Sequence, residues 1–254
     1  MVDRHFSEPD LAELYDHFSH WRVTPQDDFY LDLVMDARSV LDVGCGTGKL
    51  QREARRHGHT GRLVGLDPSR AMLDVGAREL GDIEWTLGDL LHGPYDEQAG
   101  GPFENAFDLV VMSGHAFQVF LTDEEVRTNL AAVRRALTPD GRFVFETRNP
   151  GARAWEAWNP ERKRTVVGPR GREATCVHRL RGLEGDLVTF TSDYHLEGWD
   201  GPRVSRSTLR FLDVGRLNGF LAEAGLRVSA QYGYWDRTAL QDISEEIITF
   251  ARPV

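Results

Sequence analysis

Residues 40–48 read Val-Leu-Asp-Val-Gly-Cys-Gly-Thr-Gly, an apolar strand that runs directly into a loop of alternating glycines. Glycines in such a loop let backbone N–H groups approach a ligand without interference from Cβ atoms, and they open the helix that follows. A second apolar strand ends at Asp67, nineteen residues after the last of these glycines. A carboxylate at that strand tip can accept hydrogen bonds from both hydroxyls of a ribose. The two motifs therefore predict a parallel α/β sheet that binds a ribose-containing molecule.

The glycine spacing separates two classes of ribose-containing cofactor. It is G-x-G-x-G, whereas a dinucleotide-dependent oxidoreductase would need G-x-G-x-x-G. Asp42 lies two residues before the first glycine, where it would repel a pyrophosphate but could form a salt bridge with an amino group. Asp89 follows the short predicted strand 83–87 and can accept a hydrogen bond from an adenine amine, with Met72 and Leu90 packed on the ring. These residues predict S-adenosylmethionine, which has an adenine, a ribose and a cationic amino-acid end.

Five fragments, in order, resemble the class I S-adenosylmethionine-dependent methyltransferases: VLDVGCGTG, VGLDPSRAML, LGDLL, FDLVVMSGHAF and LTPDGRFVFE. The likeness covers residues 10–150 well and the remainder loosely. It implies methyl transfer to a small molecule of specialised metabolism, as in the sugar-amine and glycine N-methyltransferases, with S-adenosylhomocysteine as the product. The resemblance assigns the cofactor contacts to Asp42, Gly44, Cys45, Gly46, Gly48, Asp67, Pro68, Met72, Gly88, Asp89, Leu90 and Ser113.

Composition limits the class of protein. The chain has 254 residues, is 41% hydrophobic and carries a net charge of −10, which fits one α/β domain with an elaboration and argues against a broad nucleic-acid surface. No apolar run approaches the roughly 18 residues that span a membrane. The polar N-terminus does not resemble a signal peptide. Cys45 and Cys176 lie far apart and indicate a reducing cytoplasm, and metal-ligand spacing is absent. We expect a cytoplasmic monomer or homodimer that uses no metal.

The alternation of strands and helices predicts a Rossmann-like, seven-stranded, mostly parallel sheet with helices on both faces. Residues 1–37 are predicted to form an N-terminal helical lid, and residues 38–150 the cofactor-binding core. Residues 151–212 read as an inserted antiparallel meander that covers the substrate, and 213–254 as a C-terminal helix and edge hairpin that complete the core. Individual predictions include helix 69–80 stopping at Gly81, a turn at 139–141 before strand 142–146, and meander strands 172–181, 187–196 and 203–212.

Three side chains are candidates for the chemistry, which needs in-line placement of a nucleophile and, for some acceptors, a proton acceptor. His115 follows strand 107–112 and is predicted to be a base or an acceptor contact; helix capping or stacking on the adenosine is the alternative. Tyr15 lies in LAELYDHF, which resembles the lid of sugar-amine dimethyltransferases, where this tyrosine reaches the cofactor; otherwise it is core. Glu146 would bind a cationic or N–H-bearing acceptor, or pair only with Arg148 or with neighbouring residues.

The acceptor itself is predicted from aromatic residues around the cleft. Their density favours a planar or apolar acceptor. With Arg148, the candidate substrate contacts are Trp21, Phe117, Trp155 and Trp158. N-methylation is expected from the resemblance. C-methylation of an indole-type ring and O-methylation are alternatives, and a non-catalytic S-adenosylmethionine-binding partner protein is the alternative from another class. The acceptor, the methylated atom and the oligomeric state stay open at this point.

Overall fold

The structure is a computed structural model that describes residues 3–21, 25–78, 82–94 and 103–254. Its strands are β1 (Ser39–Val43), β2 (Arg62–Asp67), β3 (Glu84–Asp89), β4 (Gly93–Pro94), β5 (Phe107–Met112), β6 (Leu137–Arg148), β7 (Arg164–Val167), β8 (Glu173–Glu184), β9 (Leu187–Leu196), β10 (Arg203–Arg210), β11 (Leu226–Tyr232) and β12 (Glu246–Pro253). Its α-helices are α1 (Arg4–Ser7), α2 (Pro9–Phe18), α3 (Gln26–Met35), α4 (Lys49–Arg56), α5 (Arg70–Ala77), α6 (Asp123–Ala136) and α7 (Val214–Glu223). None of these helices is both long and apolar enough to cross a membrane.

The larger sheet has the order β11-β12-β6-β5-β1-β2-β3-β4. β1 pairs in parallel with both β2 and β5, so the glycine loop that follows β1 lies at the point where the strand order reverses. Ligands of open α/β sheets bind at that point, beyond the carboxyl ends of the strands. The predicted fold is confirmed, and the two-residue β4 raises the strand count from seven to eight among the described residues.

Alternate residues of the central strands point to opposite faces of this sheet. Leu41 and Val110 join a hydrophobic cluster with residues of α6 and α7. Val40 and Leu109, their chain neighbours, join a second cluster with residues of α3 and α4. Helices therefore cover both faces, as predicted. The predicted end of α5 near Gly81 lies outside the described residues.

β6 differs from its prediction because it begins at Leu137 rather than after the predicted turn at 139–141. Phe107 pairs with Leu137, and the next pair on β5 joins Leu109 to Arg142, so the intervening residues bulge out of the ladder. A Cβ atom on Gly141 would lie 2.9 Å from the carbonyl oxygen of Phe107. Pro139 and Gly141 therefore shape an irregularity within the strand rather than a turn before it.

The second sheet is antiparallel, with the order β10-β9-β8-β7. Its last three strands in the chain confirm the predicted meander. The fourth, β7, was missed because it is short and largely exposed and shows no alternation of burial. One face of this sheet packs on α2, where Leu14 and Phe18 share a hydrophobic cluster with Tyr194 and Leu196.

α2 also contacts the glycine loop. Asp16 accepts hydrogen bonds from the Thr47 hydroxyl and from Arg52, both at 2.6 Å. The ammonium of Lys49 donates to the carbonyl of Ser19 at 3.0 Å and lies 2.9 Å from Asp27 at the start of α3. The first helices of the chain therefore bridge the two sheets over the carboxyl edge of β1.

The indole of Trp85 on β3 packs against three glycines. A Cβ atom would lie 2.0 Å from Trp85 Cη2 if placed on Gly48, 3.0 Å from it on Gly76, and 3.1 Å from Trp85 Cε3 on Gly65. Gly48 also has a positive φ of 67°. The last glycine of the loop is therefore required by packing as well as by backbone conformation.

We expect Gly48→Ala to lower the free energy of unfolding more than Gly185→Ala. Both glycines have positive φ, but nothing lies within 4 Å of a Cβ atom on Gly185. The control should lose about 1–2 kcal/mol from the left-handed backbone alone. The Gly48 variant should lose a further ~1–3 kcal/mol from overpacking against Trp85. Urea denaturation measures both, and equal losses would show that the indole does not constrain the loop.

Candidate active site

The glycine loop has left-handed backbone at each of its three glycines: Gly44 (φ 73°), Gly46 (φ 58°) and Gly48 (φ 67°). A Cβ atom on Gly46 would lie 3.1 Å from Met72 Cε and 4.0 Å from Tyr15 Cε1. One on Gly44 would lie 3.0 Å from the Cβ atom of Ala116, in the turn that follows β5. The loop therefore brings the lid tyrosine, α5 and the segment after β5 to one edge of the sheet.

Asp67 is held in place at the tip of β2 by two backbone donors. Oδ2 accepts from the N–H of Gly46 at 2.9 Å, and Oδ1 accepts from the N–H of Ser69 at 2.8 Å. Burial raises the pKa of Asp67, and these two N–H groups oppose the shift. Each oxygen keeps a second lone pair, which is the acceptor capacity that two ribose hydroxyls need. Pro68, next in the chain, is exposed.

Asp42 on β1 is 1% exposed. Its Oδ2 accepts from Gln51 at 2.8 Å, whereas Oδ1 is buried and has no hydrogen-bond donor among the described residues. Burial, reinforced by the carboxylates of Asp67 and Glu146 and opposed by Gln51, raises the pKa of Asp42 to about 7. A buried carboxylate oxygen needs a donor. An ammonium group would satisfy it and would return the carboxylate to its charged form.

The Tyr15 hydroxyl lies in a negatively charged environment. Burial, followed by neighbouring carboxylates, raises the pKa of Tyr15 to about 12. The contributing carboxylates, in order, are Asp16, Asp67, Asp42 and Asp27. S-adenosylmethionine carries two positive charges, a sulfonium and an ammonium, so its donor and charge pattern fits this environment. The side chains present therefore suit the predicted cofactor.

The third predicted carboxylate site is built differently from the first two. Asp89 Oδ1 accepts from the N–H groups of Leu91 and His92, each at 2.9 Å, and the His92 ring lies 2.9 Å away. A Cβ atom on Gly88 would lie 2.2 Å from the carbonyl oxygen of Gly93, so this glycine is required by the β3–β4 pairing. Leu90 is buried in the core. Gly88 and Leu90 therefore have packing roles, whatever contact Asp89 makes with adenine.

Two further predicted cofactor contacts lie within the glycine loop and at the end of β5. Cys45 Sγ lies 3.0 Å from a Cβ position on Gly65, and burial with the Asp42 and Asp67 carboxylates raises the pKa of its thiol. Ser113 is half-buried at the end of β5 and leads into His115.

His115 has a left-handed φ of 63° and begins a short 3₁₀ turn, which its side chain does not cap. Its backbone N–H donates to Glu146 Oε1 at 2.7 Å. Its ring Nε2 lies 3.0 Å from both carboxyl oxygens of Glu246 on β12. Sequence analysis missed Glu246, because only the register of the edge hairpin, which sets Glu246 opposite Arg148, brings it to this strand tip.

Burial and the neighbouring charges shift the pKa values of both members of this pair. Burial, then the Arg148 guanidinium, lowers the pKa of His115 to about 3, against the opposing effect of Glu146. Burial, with Glu245 reinforcing and Arg148 opposing, raises the pKa of Glu246 to about 8. At neutral pH the imidazole is therefore neutral, and Glu246 holds the proton.

Glu146 does not occupy the position predicted for an acceptor contact. It is 0% exposed and accepts hydrogen bonds from Gln26 (2.8 Å), the Tyr30 hydroxyl and the backbone of His115. Burial raises its pKa. These partners are neighbouring residues, as in the alternative, and the Arg148 guanidinium donates instead to Gln118 at 3.0 Å. Glu146 instead holds α3 and the turn after β5 against the tip of β6.

The five predicted substrate contacts lie in three places. Arg148 lies 5.6 Å from the ring of Trp158, and Trp155 packs 4.8 Å from Phe211, so three of the five come together beyond β6. Trp21 lies apart from them, 5.7 Å from Lys49 beside the glycine loop. Phe117 has a packing role in this structure. Its side chain is 2% exposed and stacks on Phe145 in the core.

Comparisons with known proteins agree with this geometry. Residues 40–141 match the model of a family described as a methyltransferase domain. A demethylmenaquinone methyltransferase from Thermotoga maritima is 30% identical over 200 residues, which cover 78% of this chain and 74% of that protein. The chain spans about half the length of several other curated relatives that it matches.

Two solved structures share the fold over nearly the whole chain. The CcbJ methyltransferase from Streptomyces caelestis is 18% identical, with a TM-score of 0.72 over 98% of this chain and 97% of that one. CalS10, an amino pentose methyltransferase from Micromonospora echinaspora, is 22% identical, with a TM-score of 0.67 over 94% and 96%. The chain belongs to the S-adenosylmethionine-dependent methyltransferases. Its cofactor is S-adenosylmethionine, as the residues of the glycine loop predicted.

We expect Asp42→Asn to weaken S-adenosylmethionine binding by roughly ten- to hundredfold, the equivalent of one charge-assisted hydrogen bond of about 1.5–3 kcal/mol. Because the pKa of Asp42 is about 7 and a bound cation would lower it, wild-type affinity should rise several-fold from pH 6 to pH 7.5. The variant should lack this rise. Calorimetry measures both, with Asp108→Asn at the opposite end of the sheet as the control. A rise that persists in Asp42→Asn would assign it to another group.

Proposed function

We propose that this protein transfers a methyl group to a nitrogen atom of a small molecule that contains an aromatic or heteroaromatic portion. The observation that carries the proposal is the His115–Glu246 pair beside the cofactor edge, which can take up one proton with a pKa of about 8 at Glu246. An alkylammonium has a pKa of roughly 10.4, so it arrives protonated at neutral pH and needs a group that accepts its proton. An amine must lose its proton before its lone pair can attack a methyl carbon.

S-adenosylmethionine supplies an electrophilic methyl carbon when it is bound. The protein's own contribution is to bind the cofactor and the acceptor, to orient them and to exclude water. In this proposal Asp42 accepts hydrogen bonds from the amino group of the cofactor, and Asp67 accepts them from the ribose. Tyr15 closes the site from the lid. Residues 1–37 serve as that lid, and residues 151–212 cover the acceptor.

The acceptor's proton can be transferred through the His115–Glu246 pair when Glu246 is ionised. Glu246 then accepts the Nε2–H of His115, so Nδ1 presents its lone pair to the acceptor. The acceptor ammonium gives its proton to Nδ1, and the Nε2 proton moves to Glu246. The ring finishes neutral and Glu246 finishes as a carboxylic acid. His115 therefore needs no basicity of its own, despite its low pKa.

Nitrogen is favoured over carbon or oxygen for two reasons. The surrounding carboxylates attract a cationic acceptor, and the pair can accept the proton that an ammonium group must lose before it reacts. The structurally similar CalS10 is an amino pentose methyltransferase, which supports an amine acceptor, whereas the relative from T. maritima is a demethylmenaquinone methyltransferase. Half-buried Trp158 and Trp155 support a planar portion on the acceptor.

We expect kcat to rise with pH through about 8, as Glu246 ionises and frees Nδ1 of His115, and we expect no rise near pH 6.5. Glu246→Gln should lower kcat by about 10²–10⁴ and remove this limb, with little change in cofactor affinity. His115→Ala should do the same. If kcat still rises through about pH 8 in Glu246→Gln, the rise comes from ionisation of the acceptor amine, and the His115–Glu246 pair takes no part in the chemistry.

Labelled S-adenosylmethionine and a panel of acceptors test the reaction. We expect tryptamine and phenethylamine to be methylated on the side-chain nitrogen, as located by mass spectrometry, and 3-methylindole and 4-methylphenol to stay unlabelled. Label on the ring carbon or the phenol oxygen would replace N-methylation with C- or O-methylation. Intact cofactor binding without transfer to any member would favour the non-catalytic partner protein.

A further inference from the structure

A line of aromatic and polar side chains crosses from the glycine loop to the second sheet. It begins at Tyr15, whose Cε1 lies 4.0 Å from the Cβ position of Gly46. The ring of His5 lies 5.7 Å from that of Tyr15, and the ring of Tyr194 on β9 lies 4.8 Å from that of His5. The lid therefore joins the cofactor edge to one face of the second sheet.

The line returns to the catalytic pair along the same sheet. The ring of Phe190 on β9 lies 5.9 Å from that of His178 on β8 and 4.4 Å from that of Trp158. Trp158 lies 5.6 Å from the Arg148 guanidinium, and Arg148 pairs in register with Glu246. A wall of side chains thus leaves the cofactor edge at Tyr15 and comes back to it beside His115.

Strand register places the polar members of this wall on one face. His178 is opposite Ser192, which in turn is opposite Ser205, and Tyr194 is opposite Cys176. Directly paired residues of an antiparallel sheet share a face. The backbone N–H of His5 donates to the hydroxyl of Ser205 on this face at 3.0 Å. This inner face therefore looks toward the lid and the sheet tip.

The opposite face of the same strands is separate from this wall. It carries Thr175 and His195, which line an open groove of about 740 Å³ on the outside of the second sheet. His195 is exposed and lies next to Tyr194 in the chain, so it provides a matched control on the other face.

His178 has an unequal set of partners. Its Nδ1 lies 2.9 Å from the Ser192 hydroxyl, whereas Nε2 has a thiol, Cys176 Sγ, at 3.9 Å as its contact among the described residues. Burial, then the guanidinium groups of Arg164 and Arg148, lowers the pKa of His178. The ring is therefore neutral, and Nε2 is a polar atom with a weak partner, close to two positive charges.

We propose that this inner face is the acceptor-recognition wall, and that His178 hydrogen-bonds a ring hydroxyl of the acceptor through Nε2 while Trp158 and Phe190 cover the ring. The inference rests on the proposed methyl transfer, because it places the amine of the same molecule between Tyr15 and His115. The positive charges beside His178 favour an electron-rich oxygen there and disfavour a second cation. The substrate class is a hydroxyaryl amine.

Tyramine and phenethylamine, which differ in one ring hydroxyl, test this wall without requiring turnover. Calorimetry on the full chain saturated with S-adenosylhomocysteine should give at least tenfold tighter binding of tyramine. His178→Ala should reduce that ratio to below threefold and leave phenethylamine unchanged. His178→Gln, which keeps a donor and an acceptor, should restore part of the ratio, and His195→Ala should keep all of it.

Equal affinities for the two amines, or binding of neither, would overturn the inference, as would a ratio that survives in His178→Ala. Circular dichroism of each variant checks folding, and a misfolded alanine variant leaves the wild-type ratio and His178→Gln to decide. The two proposals fail separately. If the protein transfers methyl groups but does not discriminate between the two amines, only the acceptor-recognition wall is rejected. If it discriminates between them but transfers no methyl group, only the proposed reaction is rejected.

Discussion

The buried carboxylate of Glu146 holds together three parts of the chain that build the active site. Its donors come from Gln26 and Tyr30 on the lid helix α3 and from the backbone of His115 after β5. A carboxylate with no exposure to solvent is very costly unless its lone pairs are occupied. The tip of β6 therefore fixes α3 and the turn after β5 at once, and moving either one would remove donors from this buried carboxylate.

The helix α2 gives the two binding regions a shared boundary. Asp16 ties it to Thr47 and Arg52 below, and Phe18 packs on Tyr194 above. The glycine loop and the second sheet are therefore contacted by opposite sides of one ten-residue helix. Removing residues 3–20 would uncover the apolar face of the second sheet as well as the glycine loop, so this segment is part of the packed structure.

Sequence analysis succeeded where the information is local. Asp42, the glycine loop and Asp67 lie within a stretch of 26 residues and fix the sheet centre and the cofactor. It failed where partners are distant in the chain. Glu246 reaches His115 across 131 positions through the register of the edge hairpin. Phe117 and Glu146 have residue types that suit a cleft, but burial, which no local pattern encodes at a strand tip, places both inside the fold.

The packing of Trp85 against three glycines has an evolutionary consequence. Gly48 lies under the indole and also has left-handed backbone, so a side chain at position 48 would clash unless Trp85 had first been replaced by a smaller residue. Single substitutions of this glycine are therefore strongly disfavoured while Trp85 is present. A lineage with this tryptophan would keep its glycine loop even after losing its ligand, so retention of the motif among its descendants would record ancestry in addition to chemistry.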